Sequence, residues 1–201
     1  MVNNGNTKTG VEKVNINHWI STGWDLVFSA PAEFILITLI YVIVIGVASS
    51  TAVAEFLVWG PLNVGFYYVI LEKLRGRPVK IGDVAKGFNF FVAAVLSNIL
   101  ISFFATIGYT LCIIPGIIIS ALYLFTPLFI LEKNMDFWTA MEASRKIASK
   151  YVFELSVFVF LQFLILLAGL ILCGIGILIA IPIIMAATAV AYDELVGISK
   201  E

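Results

Sequence analysis

Glu55 is the residue of this sequence best placed for chemistry, because it is the carboxylate that falls toward the outer half of a predicted membrane span. An ionisable side chain is costly to keep inside a membrane and is usually functional there, so Glu55 is a candidate proton or cation site. The alternative is that Glu55 reaches the outer water, since it lies only about four residues, or roughly 6 Å of helix, inside the predicted boundary.

Proline occurs in the second span of each of three predicted hairpins, as Pro61, Pro127 and Pro182. Each lacks a backbone N–H and is expected to kink its helix. Helices interrupted at matching positions often border the substrate site of transporters. Asn63 lies close to Pro61 in sequence, so the three prolines, Asn63 and Glu55 form a candidate cavity or transport site. The alternative is that the kinks shape only the packing of the helices.

Other polar side chains in the predicted spans are expected to hydrogen-bond between helices, each bond contributing about 0.6 kcal/mol. They are Asn63, Ser97, Asn98, Ser102, Thr106, Gln162 and Thr188. Glu33 and Glu154 fall at the first turns of the first and fifth spans. A carboxylate there complements the positive end of a helix, which is a structural rather than a catalytic role.

His18 is the sole histidine, and no Ser–His pair, metal-ligand cluster or glycine-rich phosphate loop accompanies it. We therefore expect no catalytic residue, no metal site, no cofactor and no enzyme activity. The net charge of −1 argues against nucleic acid as a partner, because surfaces that bind nucleic acid are strongly basic.

Cys112 and Cys173 end the third and fifth predicted spans, which places both near the outer surface. A disulfide can form there if the two Cα atoms come within about 7 Å of each other. The alternative is a pair of free thiols that behave as small apolar side chains.

Long apolar stretches must position all of these residues. Hydrophobic residues make up 61% of the 201 positions and charged residues 12%, the balance of a polytopic membrane protein. Runs such as FILITLIYVIVIGVA are apolar on every face, as spanning helices are and barrel strands are not. The predicted fold class is therefore all-α, with six transmembrane helices at 32–50, 51–71, 91–112, 114–131, 152–172 and 175–192.

The 12 Lys and Arg residues all fall on one side of the membrane that these spans imply. Because short basic segments remain in the cytoplasm, both termini are predicted inside and the three tight hairpins outside. Residues 1–15 and 196–201 would then be polar cytoplasmic tails.

Similar lead-in segments precede the three hairpins: INHWISTGWDLVFSAPAEF, IGDVAKGFNFFVAAVLSN and FWTAMEASRKIASKYVFEL. Their registers agree at shifts of 64 and 57 residues, so that Gly23 matches Gly87 and Ser97 matches Glu154. We interpret residues 16–195 as one domain of three repeats, each an amphipathic interfacial helix followed by a transmembrane hairpin. The approximate repeats are 16–75, 80–133 and 137–195.

The lead-in segments have helical periodicity, with one apolar stripe and one polar face. Such helices are expected in the cytoplasmic interface, with aromatic rings at headgroup depth and cations toward anionic lipid. The alternative, compatible with the first, is that they pack on the inner mouth of the bundle. The candidate lipid-headgroup residues are Trp19, Trp24, Arg75, Arg77, Lys80, Lys86, Arg145, Lys146 and Lys150.

A family resemblance covers most of residues 16–195. It rests on GPLNVGFYYVILEKLRGRPVKIGDVAKGF, then IIPGIIISALYLFTPLFILEKNMDFWTAMEASRKI, then CGIGILIAIP ending in AYDEL. This order resembles the prokaryotic inner-membrane proteins of the YciC type, an uncharacterised family, and the membrane domain fused to some glycerophosphodiester phosphodiesterases. The resemblance implies a six-helix multi-pass domain in the prokaryotic cytoplasmic (inner) membrane. The soluble phosphodiesterase domain is not in this sequence, so its hydrolase activity and metal site are not implied.

Two functions fit these patterns. The first is a nonenzymatic accessory or lipid-interacting membrane protein, whose partners would be membrane lipids, another membrane protein or a second copy of the chain. The second is a small transporter or channel with a site between the repeats, near the proline-kinked helices. The scarcity of charge within the spans favours a neutral or lipid-like substrate over an ionic one.

Overall fold

The computed structural model of the chain describes residues 14–171 and 176–198, without the side chain of Ala52. The structure is 87% helical and its described part contains no strand, which confirms the all-α class. The helices are α1 (Ile16–Phe28), α2 (Pro31–Ala48), α3 (Ala52–Leu74), a 3₁₀ helix (Ile81–Phe90), α4 (Phe91–Leu111), α5 (Ile113–Leu122), α6 (Thr126–Lys133), α7 (Phe137–Ala148), a 3₁₀ turn (Ser149–Tyr151), α8 (Val152–Ile171) and α9 (Ile177–Leu195).

Six helical segments of the described chain are long and apolar enough to cross a membrane, as predicted. They are Pro31–Ala48, Val53–Leu74, Ile81–Leu111, Ile113–Lys133, Phe137–Ile171 and Ile177–Leu195. The third and fifth segments include their lead-ins, because the 3₁₀ helix continues directly into α4 and α7 continues through the 3₁₀ turn into α8.

The fourth span is broken, although a continuous helix was predicted at 114–131. It consists of α5 and α6 with a turn between them, and Pro127 lies in the first turn of α6. A proline disfavours helix at the residue before it and is tolerated in a first turn, where no N–H is needed. The prediction that Pro127 kinks a continuous helix is therefore wrong, whereas Pro61 and Pro182 do lie inside α3 and α9.

The helices α3 and α9 are the most buried spans, with 50% and 61% of their apolar windows inside the protein against 39% or less for the others. Tyr67 of α3 lies close enough to Thr188 of α9 for their side chains to interact. The Nε2 of Gln162 in α8 donates to the Thr188 hydroxyl at 2.8 Å, which confirms the interhelical role predicted for Gln162 and Thr188. The ring of Phe129 in α6 packs edge-on against Tyr192 of α9, with centroids 5.2 Å apart. Side chains of α3, α6 and α9 therefore meet at the centre.

Each lead-in segment packs on a helix of a different hairpin. The helix α1 lies along α9, where a Cβ added to Gly23 would collide with the α9 backbone. The 3₁₀ helix lies along α3, where Gly87 and Gly65 approach too closely for side chains. The helix α7 packs on α5 and α6, and Ser144 Oγ donates to the carbonyl of Leu122 at 2.8 Å. The inner faces of the lead-ins thus belong to the bundle, which is the alternative that the sequence left open.

Candidate functional site

The outer face of α1 carries two stacked aromatic rings. Trp24 and Phe28 are 49% and 47% exposed, and their ring centroids are 4.6 Å apart. The buried residues of this helix, Trp19, Gly23 and Val27, repeat every four residues and form its opposite face. Trp24 therefore lies on an outer surface of the protein, where a ring can contact lipid.

Trp19 does not lie on the headgroup surface for which it was predicted. Its side chain is 0% exposed, and its Nε1 donates a hydrogen bond to a carboxylate oxygen of Glu194. Its ring packs edge-on against Phe158, with centroids 5.1 Å apart. An apolar stripe in a sequence does not show whether the stripe faces lipid or another helix. Trp19 is a core residue because its stripe faces α8 and α9.

The 3₁₀ helix and the first residue of α4 present a second aromatic pair and a cation. The rings of Phe88 and Phe91 are exposed and stack with centroids 6.5 Å apart. The Nζ of exposed Lys86 pairs with Asp83 at 2.9 Å, donates to the Tyr68 hydroxyl at 3.0 Å and lies 4.5 Å from the centroid of the Tyr68 ring. The ammonium is thereby held at the surface close to aromatic rings.

The helix α7 presents the third set of exposed groups. Arg145 and Lys146 are exposed and share Glu142, with N–O distances of 3.1 and 3.5 Å. Trp138 is 58% exposed, and Lys150 is exposed in the turn that follows. We give the name lead-in surface to a set of exposed cations and aromatic rings on α1, on the loop and 3₁₀ helix that lead into α4, on the first residue of α4, and on α7 with the turn that follows it. Its members are Trp24, Phe28, Arg77, Lys80, Lys86, Phe88, Phe91, Trp138, Arg145, Lys146 and Lys150.

Arg75 and Arg77, also predicted to face headgroups, are engaged by carboxylates of the protein. Arg75 Nη2 donates to Glu132 at 2.5 Å, and both guanidiniums pair with Glu72, at 3.2 Å for Arg75 and 3.0 Å for Arg77. Partial burial lowers the pKa of Arg75, but the hydrogen bonds and charges of Glu132 and Glu72 outweigh it and raise the pKa overall. Arg75 therefore joins the end of α3 to α6.

Glu55 lines a pocket between α3 and α4 of about 310 Å³. The other lining residues are Phe56 and Trp59 of α3 and Asn98 and Ser102 of α4. Asn98 and Ser102 were expected to hydrogen-bond between helices, and instead they converge with Glu55. Glu55 and Trp59 are one helical turn apart, so the sequence predicts that they lie on one face of α3. It does not predict that this face packs against α4.

The remaining candidate cavity residues do not line this pocket. Pro61 is buried with its carbonyl against Gly87 of the 3₁₀ helix, Pro127 begins α6, and Pro182 is buried inside α9. Asn63 is partly buried, and its Oδ1 is enclosed without a hydrogen-bond partner in the described part of the chain. The five predicted cavity residues therefore do not line one cavity: Glu55 lines the pocket between α3 and α4, and the other four lie elsewhere in the fold.

An apolar groove of about 360 Å³ lies between α5 and α8. It is lined by Ile114, Ile117, Ile118, Val152, Phe153, Ser156, Val157 and Phe160. Such a lining accepts an acyl chain and offers almost no polar group for recognition.

Cys112 is exposed directly after α4. Cys173 lies outside the described residues, so the structure tests neither the candidate disulfide nor the alternative of two free thiols.

Comparison with known protein families, curated proteins and solved structures finds no match to this chain.

Proposed function

We propose that this chain is a nonenzymatic lipid-interacting protein of the prokaryotic cytoplasmic membrane, with both termini in the cytoplasm, and that it binds anionic lipid headgroups through the lead-in surface. The observation that carries this proposal is that all three lead-in elements present exposed aromatic rings and that the second and third also present exposed cations, Lys86 with Phe88 on the 3₁₀ helix and Lys146 with Trp138 on α7. Rings of this kind prefer headgroup depth, and cations beside them attract anionic lipid.

The orientation rests on charge. Because the helical hairpins alternate direction, the three lead-in elements lie at the same end of the spans as the basic connections, and basic connections remain in the cytoplasm. The prokaryotic location and a relationship to the YciC type are proposed from the sequence motifs. Lipids would be the main partners, with a membrane protein or a second copy of the chain as further ones.

A three-repeat architecture is part of the proposal. The lead-in of each repeat packs on the second helix of the preceding repeat, and the first closes the ring on the third. Gly23, Gly87 and Ser144 occupy matching positions at shifts of 64 and 57 residues. All three are small and make the close contact with that second helix. This agreement between register and contact supports descent from one repeated unit and a pseudo-threefold ring.

A transporter with a path between the repeats is the competing function, and the packing at the centre favours the lipid-interacting role. The contacts of Tyr67 with Thr188, of Phe129 with Tyr192 and of Arg75 with Glu132 join α3, α6 and α9 in pairs where such a path would run. Transport would require these contacts to separate.

The test is lipid selectivity in nanodiscs that contain equal amounts of phosphatidylglycerol and phosphatidylcholine, with retained lipids counted by native mass spectrometry. Since each cation near a membrane surface contributes about 1 kcal/mol, Lys146→Gln/Lys150→Gln is expected to reduce the preference for phosphatidylglycerol by about 30-fold. The control Lys8→Gln/Lys13→Gln removes the same charge from the amino-terminal segment. Equal selectivity in the wild type and both variants would refute the proposal.

A further inference from the structure

The pocket between α3 and α4 combines polar groups that find no partner within the described protein. Neither the Glu55 carboxylate, the Asn98 amide nor the Ser102 hydroxyl makes a hydrogen bond or ion pair with another described side chain. Glu55 is half-buried in the first turn of α3, at one end of an apolar segment that is long enough to span a membrane. A carboxylate that is partly withdrawn from water and has no partner in the described chain is available to a ligand, and so are the two polar groups beside it.

The chemistry of the residues that line the pocket restricts which ligand it can bind. Glu55 supplies negative charge, and the oxygens of Asn98 and Ser102 accept hydrogen bonds. Phe56 and Trp59 add aromatic rings, which attract cations through their faces. Oxygen acceptors, one negative charge and aromatic walls together match a cationic hydrogen-bond donor.

A divalent metal fits less well than an organic cation. The pocket holds a single carboxylate, and the described residues contain no group of three or more His, Cys, Asp or Glu side chains close enough to hold a metal ion. Calcium takes six to eight oxygen ligands and magnesium requires a nearly octahedral set. A volume of about 310 Å³ also exceeds what a bare ion needs and lies at the small end of ligand pockets.

We propose that the pocket lined by Glu55, Phe56, Trp59, Asn98 and Ser102 binds an ammonium group. The ammonium pairs with the Glu55 carboxylate, donates hydrogen bonds to Asn98 and Ser102, and lies against the ring of Trp59. Its carrier is either the headgroup of an aminophospholipid or a free amine of similar size. The proposal does not rest on anionic lipid binding at the lead-in surface, which uses cations and aromatic rings that do not line this pocket.

The experiment uses the full chain in nanodiscs of phosphatidylglycerol doped with phosphatidylethanolamine, with retained lipid counted by native mass spectrometry. Glu55→Gln keeps the shape of the side chain and removes its charge, and retained phosphatidylethanolamine is expected to fall at least about tenfold. The matched control is Glu33→Gln, which removes an exposed carboxylate from the first turn of α2 and is expected to leave retention unchanged.

A second arm distinguishes the carriers. Free ethanolamine is titrated onto the protein in phosphatidylglycerol nanodiscs, and binding is measured by calorimetry with the wild type, Glu55→Gln and Glu33→Gln. Glu55-dependent binding of the lipid but not of ethanolamine assigns the site to a headgroup, and the reverse assigns it to a free amine. If neither depends on Glu55, as expected if the carboxylate binds only a proton, the proposal is wrong.

If Glu55→Gln does not assemble, Trp59→Leu carries the test, with Trp138→Leu as the control for loss of a tryptophan elsewhere. Loss of the ring is expected to weaken retention of the ammonium ligand about fivefold in Trp59→Leu and not in Trp138→Leu. Equal retention in both variants would overturn the proposal.

Discussion

The Nη2 of Arg75 lies 2.5 Å from Oε1 of Glu132, a residue 57 positions later in the chain. Only 4% of the Glu132 side chain and 17% of the Arg75 side chain are exposed. Arg75 follows α3 directly and Glu132 is in the last turn of α6, so this ion pair joins the second helices of two consecutive hairpins.

Glu132→Gln is expected to destabilise the protein by about 2–3 kcal/mol, because removing one charge of a buried pair leaves the other uncompensated and Glu72 compensates only in part. Unfolding in a denaturing detergent, followed by circular dichroism, measures this. Glu142→Gln breaks an exposed pair with Arg145 and is expected to change stability little. Similar stabilities of the two variants would contradict the role assigned to Arg75 and Glu132.

Gly87→Ala is expected to separate the 3₁₀ helix from α3. A Cβ at this position would lie 2.0 Å from the carbonyl oxygen of Pro61 and 2.3 Å from the N of Gly65, and backbone atoms cannot rotate away. Overpacking costs about 1–3 kcal/mol and occasionally more, and the contacts with backbone atoms place Gly87→Ala at the upper end of this range. The same unfolding measurement on Gly82→Ala is the control, since that Cβ would meet nothing within 4 Å. A stable Gly87→Ala protein would show that the close contact is not required.

Two tryptophans of α1, five residues apart, are expected to respond differently to truncation. Trp19→Ala removes a fully buried ring and a hydrogen bond to Glu194, so the expected loss of stability is about 3–5 kcal/mol. Trp24→Ala removes a ring that is 49% exposed and is expected to change stability much less. Thermal unfolding of both variants in one detergent measures the difference, and equal losses would mean that the burial assigned to Trp19 is wrong.

The start of α7 is expected to become less stable in acid. Asp136 accepts hydrogen bonds from the backbone N–H groups of Trp138 and Thr139, and its interaction with Thr139, by side chain and backbone, lowers the pKa of the carboxyl from 3.8. Because the folded pKa is depressed, this stabilisation is complete above the unfolded pKa and is lost as the pH falls through the folded one.

Hydrogen exchange of the Trp138 and Thr139 amides measures this effect. Exchange corrected for the intrinsic pH dependence is expected to accelerate in acid for the wild type. Asp136→Ala should show the faster exchange already at neutral pH, because the helix has lost its N-cap. A wild type whose corrected exchange does not depend on pH would refute the assignment.

Cys112 provides a test of the proposed orientation. It is exposed at the end of α4 that faces away from the basic connections, so a membrane-impermeant maleimide is expected to label it from outside intact cells. The variant Cys173→Ala ensures that Cys112 is the thiol detected. Labelling that occurs only after the membrane is opened would show that the orientation is the reverse of the one proposed. The disulfide alternative would be established if the wild type is labelled only after reduction while Cys173→Ala is labelled without reduction, and labelling of the wild type without reduction would establish free thiols.

The number of spans and the helical class follow from the sequence, because each apolar stretch satisfies its own backbone hydrogen bonds inside lipid regardless of its neighbours. Local chemistry also fixes several helix ends. Asp136 caps α7 through its own side chain, and α2 begins at Pro31. The break before α6 can be predicted in the same way from Pro127. The prediction of one continuous helix at 114–131 did not include it.

The tertiary structure decided which side of each amphipathic segment faces the protein. Trp19 and Trp24 are both aromatic residues of one lead-in, and only the packing of α1 on α9 makes the first a core residue and the second an exposed one. The pocket likewise depends on α3 meeting α4 at Glu55 and Asn98, which are 43 positions apart in the sequence. Hydropathy reports the preference of a segment for an apolar environment, and both lipid and a neighbouring helix provide one. The choice between them depends on contacts between distant segments, which only the folded chain determines.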